Sequence, residues 1–538
     1  MKIPALILTT TCLFVALPSV RSQSLAPGFR IAGTNGSTNV QMLDNTGAVV
    51  HTWATSFNPG VGMELQEDGK LLRTIKTSGV PGLGGGWGGG VQQLALDGTV
   101  LWDFRYDSGG NYQHHDVETL PNGNVLMIAW EDKTLAQAIA AGRSPGLING
   151  NVMRPDTVIE VQPTGPTTGT IVWEWHIWDH LIQDAEPAQG NFGVVGDHPE
   201  LVDVNYPPMA NEASDWNHMN ALSYDPIHDL ILMSGHHQDE IWIIDHSTTT
   251  LQAAGHTGGA RGVGGDLLYR WGNPAAYDAG TVGDKKLFGQ HGPVFIPAGH
   301  QGAGNILLFN NGSPGGSEVM ELVLPQDGNG DFSFGPGGVY GPASPTWTYS
   351  GGFNSNILSG ALRLPNGNTL ICSGTQGLIL EVTDAGQLLF SEDIGSNVFH
   401  ARYTERTLWA DADTISASGG GSVTFDLIAG TAQAGQSYLV LGSLTGTVPG
   451  FNKSFINVPL NWDVYTELTL NFANTTTFTN TMGTFDGLGR SSASLNVLAG
   501  QIPATAVGAV LYHAFVALDP GTSHLTWASN PVGITIDN

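Results

Sequence analysis

The chain has 538 residues, 41% of them hydrophobic, and a formal charge of −28 although only 12% of residues are charged. That length suggests two or three domains with ample core, and the acidic balance argues against nucleic acid or an anionic membrane surface as partner. Acidity spread so thinly reads as a solubility feature of a secreted surface, so an anionic small substrate would need locally placed cations.

Met1-Lys2 precedes an apolar run from Ile3 to Leu17, and Val20-Arg21-Ser22 offers a cleavage site, so residues 1–22 read as a secretory signal peptide. The run is too short to span a bilayer, and no later stretch approaches twenty uninterrupted apolar residues. A secreted or periplasmic protein without membrane attachment is expected. Of two cysteines, Cys12 lies in the leader and Cys372 remains, which leaves no intrachain disulfide and no cysteine-built metal cluster.

Seventy-four glycines and many short β-branched runs predict an all-β fold. Near the mature N-terminus, strands are expected at Phe29 to Ala32, Asn39 to Leu43 and Val49 to Trp53. A four-strand unit then recurs. The first copy runs from Met63 to Phe104. The second starts at His115 (HDVETLPNGNVLMI, 115–128) and ends at Trp175; the third runs from His218 to Trp271 and the fourth from His291 to Trp347. The fifth starts at Ser359 (SGALRLPNGNTLIC, 359–372) and ends near Phe390. The shared Pro-Asn-Gly supplies the positive φ of a tight hairpin. A sixth copy must combine Asn397 to Tyr403 with the three N-terminal strands, which predicts a six-bladed β-propeller over 23–409, closed by sheet pairing. From Ala410 the composition shifts through a Ser/Thr/Gly joint, and 410–538 reads as a small β-sandwich, with carbohydrate binding, tethering and stabilisation open as its role.

In a propeller the first strand of each blade lines the channel. Aligned on their turns, the copies place His115, His218, His291 and Ser359 at one height, with His400 nearby. Three histidines at equivalent repeat positions are the sharpest chemical signal. Trp173, Trp175, Trp242 and Trp271 read as inter-blade core, whereas Trp216, beside His218, is the candidate to stack on a substrate ring. Asp245-His246-Ser247 imitates a hydrolase triad only in composition. The glycines between 82 and 90 read as a loop at the channel mouth.

The stretches 112–124 (YQHHDVETLPNGN), 215–220 (DWNHMN), 240–250 (EIWIIDHSTTT), 267–274 (LLYRWGNP), 288–292 (FGQHG) and 304–312 (GNILLFNNG) resemble, in order, the exported bacterial aryl-sulfate sulfotransferases. The likeness covers roughly 30–405. It implies a six-bladed propeller that moves a sulfo group between phenols through a transiently sulfated histidine, with no nucleotide, metal or other cofactor. Carried over, that histidine is His291, with His115, His218 and Asn220 around the sulfate. The chemistry agrees: an imidazole nucleophile splits one displacement into two, and a departing phenolate needs a proton donor. His115 is assigned as acid and base, His218 and Asn220 as donors. Where the family pattern has an arginine, this chain has His236, a titratable ring, so anion affinity should fall as pH rises above about 6.5; Arg402 is the candidate to compensate. A histidine-bound metal enzyme and a non-catalytic binding or scaffold propeller remain as alternatives. The sequence leaves the oligomeric state open.

Overall fold

A computed structural model describes residues 24–81, 85–148, 150–207, 214–327, 330–335, 338–395 and 397–538. The expected leader lies outside these residues. The fold is all-β and propeller-like, built from successive antiparallel sheets. In chain order, one holds Pro59–Leu65, Leu71–Lys76, Gly89–Leu94 and Val100–Arg105. The next holds Asn111–Thr119, Val125–Glu131, Asp156–Gly165 and Thr168–His176, with the short Asp107–Ser108 on its Asn111–Thr119 edge. Met219–Asp225 opens the sheet that ends at Tyr269–Trp271, His291–Phe295 the one that ends at Trp347–Tyr349, and Gly360–Arg363 the one that ends at Leu388–Asp393.

The remaining sheet joins the two ends of this region. Val398–Thr404 pairs with Phe29–Thr34, followed by Val40–Leu43 and Val49–Trp53. The first strand of each sheet touches the first strand of the next, and Val398–Thr404 returns to Pro59–Leu65. The two Pro-Asn-Gly turns share one geometry. Gly123 and Gly367 have φ of 83° and 91°, and their N–H groups donate to Leu120 O and Leu364 O.

Apolar alternation buries the strand faces between neighbouring sheets. Trp173, Trp175 and Trp242 sit in one core cluster and Trp271 in another. Cys372 is buried and unpaired.

The C-terminal part has two sheets on a shared core of Phe425, Val440, Leu495, Phe515 and Ile534. Its strand Leu408–Ala410 straddles the expected boundary, pairing with Gly421–Ile428 while Trp409 packs against Phe29, Ile31 and Trp53. Three short helices interrupt the β-structure among the described residues: Leu135–Ala140, Thr250–Ala253 and Val464–Asn471. Each opens on a capping box, in which the cap side chain and the third helical residue satisfy each other's orphan N–H. No helix among the described residues is long and apolar enough to cross a membrane.

Candidate functional site

The inner strands do not run straight. Pairing slips between Pro59 and Met63, between Gln113 and Val117, between Met219 and Leu222 and between His291 and Val294. The backbone turns left-handed within these bulges at Val61, His115 and Gly292, with φ of 90°, 49° and 56°, and just before the strands that open at Met219 and Gly360, with φ of 51° at His218 and 91° at Ser359. A bulge re-aims a side chain out of the pleat, and a left-handed non-glycine residue costs on the order of 1–3 kcal/mol. That strain recurs from sheet to sheet and gathers the rings.

The rings form a chain of contacts. His115 and His218 have centroids 4.6 Å apart, His218 and His236 are 5.1 Å apart, and His236 and His291 are 5.1 Å apart. His237 flanks His218 at 4.9 Å. Phe399 lies between His400 at 4.1 Å and His115 at 6.1 Å. His115, His218 and His291 are 2%, 8% and 3% exposed, so the cluster is almost withdrawn from water.

Hydrogen bonds set the tautomers. Asn311 donates its amide to Ser355 O and Leu358 O, which fixes Oδ1 as the acceptor facing His291 Nδ1 at 2.8 Å. Nδ1 therefore carries the proton, and Nε2 is the bare nitrogen, accepting from the Leu358 N–H at 3.2 Å. Burial, with the neighbouring His218, pushes His291 down to about 4 despite the Asn311 bond, so the ring is neutral at neutral pH.

Behind His115 runs a relay: His115 Nδ1 lies 2.7 Å from His114 Nδ1, and His114 Nε2 lies 3.0 Å from Asp156 Oδ1. Asp156 Oδ2 accepts the Met219 N–H, and burial raises its pKa although His114 opposes the shift. Behind His218 is Asp215, whose Oδ2 is 2.5 Å from His218 Nδ1 while Oδ1 accepts the Trp130 indole N–H at 3.0 Å. Burial alone would raise Asp215, but His218 brings it down to about 2. The sequence reading missed Asp156, Asp215, His114 and Asn311 as partners. Asp215, His114 and Asn311 stand inside the quoted motifs, the first three residues before His218, the second next to His115 and the third just past strand Ile306–Asn310.

Several assignments change. Asn220 is fully buried and donates its amide N–H to Gln290 O at 2.8 Å, while Oδ1 has no partner, so it positions the residue before His291 rather than aiming its donors at an anion. Ser359 Oγ accepts the Gly374 N–H at 2.9 Å, tying its strand to the next turn. Trp216 packs in the apolar core and donates its indole N–H to Tyr206 O, so its ring is core and not a platform. Arg402 donates to Met63 O and faces Asp116 at 4.0 Å; its charge acts on Glu64, Asp116 and Glu118. His236 does enter the cluster, but burial and then His218 hold it well below 6.5, so it carries no charge at neutral pH and the expected loss of affinity above about 6.5 moves to lower pH. The Asp245-His246-Ser247 run is no triad: His246 contacts Asp229 and Glu160, and Ser247 donates to Asp245.

The glycine loop covers the rings. A Cβ on Gly86, at φ 78°, would fall 1.9 Å from His115 Nε2, and one on Gly85 would fall 3.9 Å from His218 Cε1; residues 82–84 lie outside the described residues. A narrow cavity of about 20 Å³, lined by Asn39, Val61, Met63, Arg73, Phe399 and His400 among others, lies between the first sheet and the N-terminal strands. Outside the cluster, His180, His256 and Asp266 bring possible metal-ligand atoms within 4.8 Å of one another.

A family model described as Arylsulfotransferase (ASST) matches residues 21–392. No curated protein matches the chain. Among solved structures, a protein of unknown function from Bacteroides caccae is similar at 11% identity, covering 70% of this chain and 98% of its own, with a TM-score of 0.39. The periplasmic gluconolactonase of Pseudomonas aeruginosa is similar at 12% identity, over 70% of this chain and 99% of its own, with a TM-score of 0.35. Virginiamycin B lyase from Staphylococcus aureus follows at 10% identity, over 68% and 78%, with a TM-score of 0.28.

Proposed function

The chain belongs to the arylsulfotransferase family, and from that premise we propose that it moves a sulfo group from a phenolic sulfate ester to a phenolic acceptor through a sulfated His291. The observation that carries this reading is the bare His291 Nε2, neutral and fixed by Asn311 inside a buried group of imidazoles. We place it on a six-bladed β-propeller over 23–409, followed by a β-sandwich over 410–538, in a protein exported by a leader at 1–22.

In the first half-reaction His291 Nε2 attacks sulfur, the N–S bond forms and the S–O bond to the aryl group breaks. The phenolate leaves with a proton from His115 Nε2. In the second, His115 Nε2 removes the acceptor's phenolic proton, the phenolate oxygen attacks sulfur and the N–S bond breaks. The relay gives the proton a resting place. With it, Asp156 is protonated, His114 carries its proton on Nδ1 and His115 on Nε2; without it, Asp156 is ionised, His114 donates from Nε2 and His115 from Nδ1. One proton separates the two states, and the raised Asp156 pKa suits the exchange. Ring N–H groups of His218 and His236 supply donors to the sulfuryl oxygens, joined by the Leu358 N–H when it gives up His291 Nε2 as that nitrogen attacks.

The test incubates the protein with a chromogenic aryl sulfate, with and without a second phenol. Phenol release that depends on the acceptor is expected. No release in either case indicates a binding propeller, the reading favoured by a neutral His236 in place of arginine, and equal release without acceptor indicates a sulfatase. A Gly86→Ala variant should fold, yet lose about 10²-fold in turnover, because the new Cβ displaces His115 from its reacting position; near-normal turnover with an unchanged melting temperature contradicts that placement.

A further inference from the structure

We infer that His180, His256 and Asp266 form a binding site for a divalent late first-row metal ion such as zinc, apart from the histidines of the central cluster. His180 follows the turn Ile177–Asp179, and the other two lie in the connection between helix Thr250–Ala253 and strand Tyr269–Trp271.

The argument begins with a carbonyl. His180 is fully buried, stacked parallel to Trp175 at 5.6 Å, and its Nε2 lies 2.8 Å from Ala253 O. A carbonyl only accepts, so Nε2 carries the hydrogen and Nδ1 of the neutral ring presents a lone pair. That lone pair faces Asp266 Oδ1 at 2.8 Å, and His256 Nδ1 approaches the same oxygen at 2.8 Å. His180 Nδ1 and Asp266 Oδ1 are both electron-rich and need a proton or a metal ion between them, and His256 Nδ1 can face the same oxygen with its hydrogen or turn a lone pair to a metal.

Several features favour the metal. Two imidazoles and a carboxylate are a ligand set for zinc with room for water in the remaining position. The Ala253 carbonyl orients His180 as an outer-shell partner orients a metal-bound imidazole. The loop is packed closely here, since a Cβ on Gly265 would fall 2.7 Å from His180 Nε2, and Trp175 donates to Gly265 O at 2.7 Å. The ion has a way in, because His256 is exposed and lines an open groove of about 450 Å³ with Trp178, Phe192 and His198. A bound ion would clasp the 254–268 connection to the end of strand Thr168–His176.

The mature chain, purified without a histidine tag and dialysed against chelator, is titrated calorimetrically with zinc chloride. The same titration is run on His256→Ala, on Asp266→Asn and on a His218→Ala/His291→Ala double variant that weakens any uptake by the central cluster. One equivalent is expected to persist in the double variant and to weaken at least about tenfold in His256→Ala and in Asp266→Asn. Zinc should also raise the melting temperature of the unaltered chain and not that of His256→Ala. His256 is exposed, so its loss leaves the fold intact. Absence of zinc binding, or binding unchanged by both single substitutions, overturns the site and leaves Asp266 holding an imidazolium.

Discussion

His291→Ala is expected to lose sulfo transfer altogether, with turnover falling on the order of 10⁴- to 10⁶-fold, the range for removing a covalent nucleophile. Intact-mass measurement after exposure to an aryl sulfate in the absence of acceptor should register one added SO₃ on the unaltered chain and none on the variant. His115→Ala separates the two roles. It should still gain the group, but turnover with an ordinary phenol should fall about 10²- to 10⁴-fold, the usual worth of general acid–base assistance. Esters of strongly acidic phenols should suffer least, because their phenolates leave without a proton. Asn311→Ala should sit between, since it removes the bond that holds the nucleophile's tautomer. The pH profile carries a sign of its own. Protonation silences the Nε2 lone pair, and burial holds His291 at about 4, so the nucleophile should stay active down to that value and not fade below 6.5 as an exposed histidine would. A sulfated His291→Ala protein, or one that turns over, sinks the assignment.

The repeat was legible because it is written in periods a sequence displays. Strands alternate, and Pro-Asn-Gly marks the same turn at 121–123 and 365–367. Histidines at one point of that repeat converge for the same reason, and the contacts from His115 to His218 follow from it. The groups that tune them were not legible as tuners. Asp156 reaches His114 across 42 positions and Asn311 reaches His291 across 20, and neither spacing carries a local signature.

Arg402 shows the limit of position along a strand. It shares a face with His400, but two residues advance a strand by about 7 Å, which carries the guanidinium on to Met63 O and Asp116. Trp216 shows the limit of adjacency, since His218, two residues on, has a left-handed backbone that turns its ring into the cluster while the indole drops into the core. The helices had a signal that went unread: Thr134 with Gln137 and Thr249 with Gln252 are capping boxes at the required spacing, on segments too short for apolar periodicity to register.

The second large effect tests how the N-terminal strands are fastened to the sheet beside them. Glu381, on strand Leu378–Val382, is fully buried. Its Oε1 accepts from the Ala26 N–H and from Asn368 Nδ2, both at 2.7 Å, and its Oε2 accepts from the Arg30 guanidinium. Arg30 lies on Phe29–Thr34, the strand that pairs with Val398–Thr404, and its guanidinium also rests 4.7 Å from the Phe390 ring. Glu381→Ala would leave that guanidinium buried without its counter-charge, at a cost of about 3–5 kcal/mol. The melting temperature should drop by about 4–6 °C, and limited proteolysis should cut first in the N-terminal strands, because the lost contacts are those that fasten them to the neighbouring sheet. Asp68→Ala removes an exposed carboxylate paired with Lys70 and should change stability by less than about 1 kcal/mol. A Glu381→Leu/Arg30→Met double variant should recover much of the loss, since two apolar side chains leave no buried charge behind. If Glu381→Ala melts where the unaltered chain does and resists protease equally, the N-terminal strands are held by their backbone pairing alone, and the buried ion pair has no part in fastening them to the neighbouring sheet.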